Sequence, residues 1–325
     1  GMAKNITFIV TKDCQLACKY CYLIGSSLYL QWYALQAQGN PRGKDINGSY
    51  EYMYETYPHI QSWADSLRQN KALKDTFIIA DDGSRLHALY AYADSVTDRT
   101  AVIVHGYTDN SVRMLHIGYL YHHDLKYNIL LPDLRFSGLS EGSYLQMGWN
   151  DRKDVLRWMD VANGIFTRHG GFSQTQMVVH GISMGGATTV CVSGEPQQPY
   201  VRCFVEDCGF TSVWDEFSGE LKNQFGLPEF PLLYAASTMT KLRYGWSFTE
   251  AAARKQVEKC TLPMFFIHGD QDTFVPTWMG DTLYAHKKGA KEYWKVPGVE
   301  HARSYLQFPK LYTEKVKNFT EKYIH

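Results

Sequence analysis

The chain has 325 residues, 45% of them hydrophobic and 14% aromatic, which suffices for one large core plus an appendage. Lys plus Arg and Asp plus Glu both number 33, so the net charge is zero and there is no basic field to attract nucleic acid or anionic lipid. Seven cysteines, an odd number, exclude a fully paired disulfide framework, and no stretch reaches the roughly 18 apolar residues that span a bilayer. Ile6–Val10 is too short for the core of a signal peptide, and Gly1 ahead of Met2 reads as a remnant of tag removal.

Residues 1–74 differ in texture from the rest and are expected to form an N-terminal extension, a fragment or anchor-like segment plus a helix. They hold three clustered cysteines, Cys14, Cys18 and Cys21, and an aromatic-rich run from Tyr29 to Tyr33. Next comes a turn or linker at Gly39-Asn40-Pro41-Arg42-Gly43. Pro58 followed by Ile60, Trp63, Ala64 and Leu67 predicts an amphipathic helix that packs on the main body.

Residues 75–325 alternate short apolar runs with helical patterns, the mark of a mostly parallel sheet covered on both faces. The predicted strands are Thr76–Ile79, Leu86–Tyr92, Ala101–Val104, Ile129–Leu131, Met177–His180, Cys203–Val205, Met264–Ile267 and Tyr293–Val296. The first two suit an antiparallel hairpin turning at Asp81-Asp82-Gly83-Ser84. The segment 211–259, between the sixth and seventh strands, is too long for a plain connection and is expected to be a small helical cap over the ligand crevice. Its aromatic residues Trp214, Phe217 and Phe225 are candidate pocket residues.

The chemistry centres on Ser183, in Gly181-Ile182-Ser183-Met184-Gly185-Gly186, directly after the run Met177–His180. A serine hydroxyl is a poor nucleophile unless a sharp turn presents it beside a base and an oxyanion hole, and the flanking glycines permit such a turn. The base also needs a carboxylate to orient it. Asp270 and Asp272 follow the seventh strand in His268-Gly269-Asp270-Gln271-Asp272-Thr273-Phe274-Val275-Pro276, and His301 follows the eighth in Gly298-Val299-Glu300-His301. Spacing alone leaves both aspartates open, and Asp207, at the end of the sixth strand, is a third candidate acid.

These spaced motifs, in the order Ser, Asp, His, together resemble the α/β-hydrolase superfamily over roughly residues 75 to 323. The narrower likeness is to the bacterial branch related to prolyl-oligopeptidase-type and acyl-thioesterase-type domains, without a propeller. The resemblance implies an α/β-hydrolase fold with an eight-stranded, mostly parallel, doubly wound sheet. It makes Ser183 the nucleophile, His301 the base and, from the position of the acid three residues before Val275-Pro276, Asp272 the acid, with Asp270 a loop-capping carboxylate. Val104-His105-Gly106-Tyr107-Thr108 resembles the family's oxyanion turn, so the N–H groups of Tyr107 and Met184 would form the hole and His105 would be structural. Asp133 and Arg135 would brace neighbouring loops through charge-assisted bonds.

The function implied is a serine hydrolase that needs no cofactor and takes a small-molecule acyl substrate, with an ester first and a thioester or peptide as alternatives. The chain as it stands suggests a cytoplasmic protein, whereas the resemblance allows an exported or membrane-anchored one. Cys14, Cys18 and Cys21 form a Cys-x-x-x-Cys-x-x-Cys loop that resembles the iron–sulfur loop of radical S-adenosylmethionine enzymes. Residues 22–74 are too few to build that family's barrel, so no metal is expected to work there. An iron–sulfur protein and a non-catalytic binding protein are the readings from other classes.

Overall fold

A sheet covered on both faces needs strands that are apolar on both sides. In the computed structural model, which describes residues 19–325, every residue of Thr100–Val104 and of the strand Met264–Gly269 is buried. Helices α1 (Lys19–Leu35), α2 (Ile46–Thr56) and α3 (Gln61–Gln69) precede the sheet. The strands are β1 (Lys74–Ile79), β2 (Arg85–Ala91), β3 (Arg99–Val104), β4 (Asn128–Pro132), β5 (Gln176–Ile182), β6 (Val201–Asp207), β7 (Met264–Gly269) and β8 (Lys291–Val296). They form one eight-stranded sheet in the order β1-β2-β4-β3-β5-β6-β7-β8, with β2 antiparallel to both β1 and β4 and all other pairs parallel. All the predicted strands are present, and β2 stops at Ala91, just short of the predicted Tyr92. The predicted hairpin turn is also there, with Gly83 at φ +84° and the Ser84 N–H donating to Asp82 Oδ1 at 3.1 Å.

Alternate strand residues feed two cores, one on each face. Val102, Val104, Val179, Phe204 and Phe266 join one cluster, while Ala101, Ile103, Val178, Val205 and Ile267 join the other. The principal helices after β4 are α4 (Asp151–Gly170), α5 (Met184–Ser193), α6 (Val213–Phe225), α7 (Leu232–Tyr244), α8 (Thr277–His286) and α9 (Pro309–Thr320). α4, α5 and α8 cover the first face through residues such as Trp158, Ala187 and Leu283. α2, α3 and α9 cover the second through Met53, Trp63 and Tyr312. The stripe predicted after Pro58 does pack on the body, with Ile60 and Ala64 fully buried, although Pro58–Ile60 is a tight 3-10 turn and the α-helix starts at Gln61.

α6 and α7 lie in the segment between β6 and β7, and α1 docks on α7. The Gln31 side-chain amide donates to Thr240 Oγ1 at 2.7 Å and to the Ala236 carbonyl at 3.2 Å. The predicted turn at Gly39–Gly43 is pinned by Asn40, which sits at φ 52°, accepts from the Gly43 N–H and donates to the Phe136 carbonyl at 2.7 Å.

The loop after β4 is knotted around Asp133, whose side chain is fully buried. Its carboxylate accepts from the Ser111 N–H at 2.7 Å, the Leu139 N–H at 2.9 Å and His87 Nδ1 at 2.6 Å. Burial alone would raise this carboxyl's pKa, but the His87 imidazole and the backbone donors outweigh it and hold it below the ordinary value. Arg135 braces the same loop by bonding both oxygens of Asp154 and the carboxylate of Asp82. Replacing Asp133 with Ala strands those donors in the interior and is expected to cost about 3–5 kcal/mol in urea denaturation. A loss below about 1 kcal/mol would show that the knot is not a principal support of the fold.

Candidate active site

β5 ends in a turn whose backbone runs against its neighbours with no side chain between them. A Cβ on Gly181 would lie 1.9 Å from the Gly185 carbonyl oxygen, and a Cβ on Gly185 would lie 2.1 Å from that of Val104. Both positions therefore exclude any larger residue. Between them Ser183 takes φ 59° and ψ −122°, a conformation that costs a non-glycine residue about 1–3 kcal/mol. The Ser183 N–H donates to the Asp207 carbonyl at 2.8 Å, which ties the turn to β6. The strain thus presents the hydroxyl beyond the strand end.

The loops after β7 and β8 leave the same edge of the sheet and reach this hydroxyl. Ser183 Oγ lies 2.8 Å from His301 Nε2, and His301 Nδ1 lies 2.7 Å from Asp272 Oδ2. A carboxylate only accepts, so the imidazole proton sits on Nδ1 and leaves Nε2 free to receive the serine proton. Asp272 is fixed in turn, because its Oδ1 accepts from the N–H groups of Phe274 at 3.0 Å and Val275 at 2.9 Å. Its side chain is fully buried. Burial would raise its pKa, but bonds from His268 and His301 outweigh this and hold the carboxyl below its ordinary value.

The other candidate acids lie elsewhere. Asp270 accepts from the Gly298 N–H at 2.7 Å and caps that loop. Asp207 accepts from the Tyr312 hydroxyl at 2.9 Å, and burial pushes its carboxyl up to about 6. His105 has both ring nitrogens engaged: Nε2 accepts from the Leu134 N–H at 2.9 Å, and Nδ1 donates to the Gly106 carbonyl at 2.8 Å. His268 carries no role of its own in the sequence motifs. Its Nε2 donates to the Val275 carbonyl at 2.8 Å and stands 3.4 Å from Asp272 Oδ2, so a second imidazole flanks the acid. Its place directly after the β7 core run, in the motif that carries Asp272, was the available signal.

Gly106 brings the turn after β3 close to the serine, since a Cβ there would lie 3.5 Å from Ser183 Cβ. Tyr107 follows it, with its hydroxyl donating to the Ala34 carbonyl of α1 at 2.7 Å. Met184 is the first residue of α5, so its N–H has no acceptor within the helix.

A cavity of about 310 Å³ opens over Ser183, walled by α1, α6 and α7 and lined mainly by apolar groups. Phe217 and Phe225 line it, but Trp214 does not. It lies at another part of the α6 surface, edge-on to Tyr234 at 4.8 Å, beside a separate depression with Asp215 and Lys241. Leu30, Tyr33 and Ala34 of α1 form a wall that no sequence motif marks. Among the described residues, Cys208, Asp272 and His301 hold potential metal-ligand atoms within 4.8 Å of one another. Burial holds the Cys208 thiol well above its ordinary pKa, and Asp272 and His301 are bonded to each other, so this grouping fits a metal poorly. Cys14, Cys18 and the Cys21 side chain lie outside the described residues. No described helix is long and apolar enough to cross a membrane.

A doubly wound sheet with a serine elbow at its carboxyl edge, and an acid and a base delivered to the same edge, defines a serine hydrolase of the α/β-hydrolase type. The chain belongs to the prolyl oligopeptidase family, whose pattern it matches over residues 119–324. It is 29% identical over 232 residues to YqkD, an uncharacterized protein of Bacillus subtilis, covering 71% of this chain and 74% of that one. Among solved structures it is similar to the esterase Pf2001 of Pyrococcus furiosus, with a TM-score of 0.61 at 22% identity over 80% of this chain and 96% of that chain. It is also similar to Est1E of Butyrivibrio proteoclasticus, with a TM-score of 0.56 at 19% identity over 76% of this chain and 98% of that chain. At these identities the two likenesses show a shared fold.

The glycine crossing gives a paired test. Gly181→Ala is expected to lose at least about 3 kcal/mol or to fail to accumulate as folded protein. Gly219→Ala, in mid-helix α6 with nothing within 4 Å of the added Cβ, should gain about 0.5–1 kcal/mol in thermal denaturation. Equal effects of the two changes would refute the steric account.

Proposed function

We propose that the protein is a serine esterase that works through an acyl-enzyme on Ser183. His301 Nε2 takes the hydroxyl proton as Ser183 Oγ attacks the acyl carbon, and Asp272 keeps the imidazole in the required tautomer and stabilises the imidazolium. The N–H groups of Tyr107 and Met184 receive the developing oxyanion. His301 then returns the proton to the leaving alcohol, and the same base activates the water that frees Ser183. Residues 75–325 form the hydrolase domain in this reading, residues 1–74 the extension, and 211–259 the cap over the substrate.

The observation that carries the proposal is the unbroken relay from Ser183 Oγ through His301 to Asp272, with contacts of 2.8 and 2.7 Å, beneath a cavity large enough for an acyl group. The apolar lining favours an ester over a peptide, because a peptide backbone would bury N–H and C=O groups there with few partners. The esterase names of the structural neighbours agree with that choice. Membership of the prolyl oligopeptidase family supports peptide cleavage as the second reading. Thioesters would use the same machinery.

Fluorophosphonate labelling followed by intact-mass analysis tests the nucleophile: the folded protein should gain one adduct and Ser183→Ala none. A labelled Ser183→Ala variant, or a folded wild-type protein that stays unlabelled, would sink the proposal. Asp272→Asn should lower kcat on a nitrophenyl ester by about 10⁴-fold, and Asp270→Asn by far less. A matched panel of nitrophenyl esters, acyl thioesters and aminoacyl amides ranks the leaving groups, and an amide preference would replace the esterase assignment with a peptidase.

A further inference from the structure

One residue of the cavity does not suit an alkyl ester. Glu216, in the first turn of α6, lines the cavity and is only 5% exposed, yet its Oε2 has no hydrogen-bond partner. A buried carboxyl without partners costs several kcal/mol unless something else satisfies it. The helix start does not do so, because the Asp215 N–H bonds Ser212 Oγ and the Glu216 N–H bonds the Ser212 carbonyl. No Lys, Arg or His of the described residues lines the cavity.

Glu220 lies one helical turn further along α6, on the same wall. It is held by the Gln224 side-chain amide, whose oxygen in turn accepts from the Tyr33 hydroxyl at 3.1 Å. Burial raises the pKa of both carboxyls, and for Glu216 the neighbouring charges of Glu220 and Asp272 add to the effect. The wall thus concentrates acidic groups in an otherwise apolar space, and the imidazole that opposes the rise at Glu220, His301, is already bonded to Ser183 and Asp272. Such a site gains most from a ligand that brings the missing cation and hydrogen-bond donors together.

We propose that the cavity takes an acyl group bearing a protonated amine, which Glu216 binds directly with Glu220 beside it, so that the substrate is an amino-acyl ester and not a plain alkanoyl ester. This names the substrate class of the esterase reading above and rests on it. The apolar walls would pack against the methylene chain between the ammonium and the reacting carbonyl, and the chain length would set which carbonyl reaches Ser183.

The test is a series of nitrophenyl esters, from glycyl to aminohexanoyl, each compared with acyl partners of equal length that end in methyl or hydroxyl. At one chain length the ammonium member should exceed both partners in kcat/KM by about tenfold or more. In Glu216→Gln that ratio should collapse toward one, whichever way the absolute rates move. A wild-type preference for the methyl or hydroxyl member at every length, or an ammonium preference that survives Glu216→Gln, overturns the proposal. Calorimetric titration of the wild-type protein with hexylammonium and with hexanol reads the same site without catalysis and without relying on the variant's folding. Tighter binding of hexanol overturns the amine site, whereas the absence of hydrolysis of any ester, with no fluorophosphonate adduct, overturns the esterase reading instead.

Discussion

The close passage of backbone against backbone at the end of β5 is the constraint on which the rest depends. With Gly181 against the Gly185 carbonyl and Gly185 against that of Val104, α5 starts directly after the turn and Ser183 is held at positive φ between them. Because β3 and β5 through β8 run parallel, the loops that follow them open at one edge. Residues separated by 118 positions in sequence, Ser183 and His301, therefore meet within hydrogen-bond distance. Neither the histidine nor the aspartate has to be brought by a special excursion of the chain.

The distribution of charge around the serine follows from burial. Three carboxyls, Glu206, Asp207 and Asp272, lie on the strands or loops beside it, all nearly excluded from water. Burial pushes Glu206 up to about 8 and Asp207 up to about 6. Asp272 is equally removed from solvent, but it alone is flanked by two imidazoles and receives two backbone N–H groups, and it is held below its ordinary value. Negative charge is thereby concentrated on the carboxyl that faces His301, and separating the acidities of adjacent groups in this way assigns them different work.

The sheet was legible in the sequence because fully buried strands must be apolar runs, and runs such as Met177–His180 and Met264–Ile267 sit between helical patterns of the right length. The cluster of Ser183, Asp272 and His301 was legible because each follows a strand in its own motif, Ser183 and Asp272 after buried runs and His301 after the half-buried β8. The cavity walls were less so. The aromatic run from Tyr29 to Tyr33 did not show that Gln31 would bond Thr240, 209 residues away. Within α6, Trp214 and Phe217 are both large aromatic residues, and only the helix phase relative to its neighbours decides that Phe217 lines the cavity and Trp214 packs against Tyr234. Periodicity gives a helix an apolar side without saying what lies opposite it.

The bond from the Tyr107 hydroxyl to the Ala34 carbonyl joins the turn beside the serine to the first described helix of the chain. α1 is thus a wall of the cavity and also a mechanical neighbour of the backbone that faces the reacting centre. A displacement of α1 wide enough to widen the cavity breaks this bond or drags the Tyr107 ring with it. Access to the cavity and the order of the turn at Gly106 and Tyr107 are consequently not independent motions, and whatever holds α1 in place also helps to keep that turn in register.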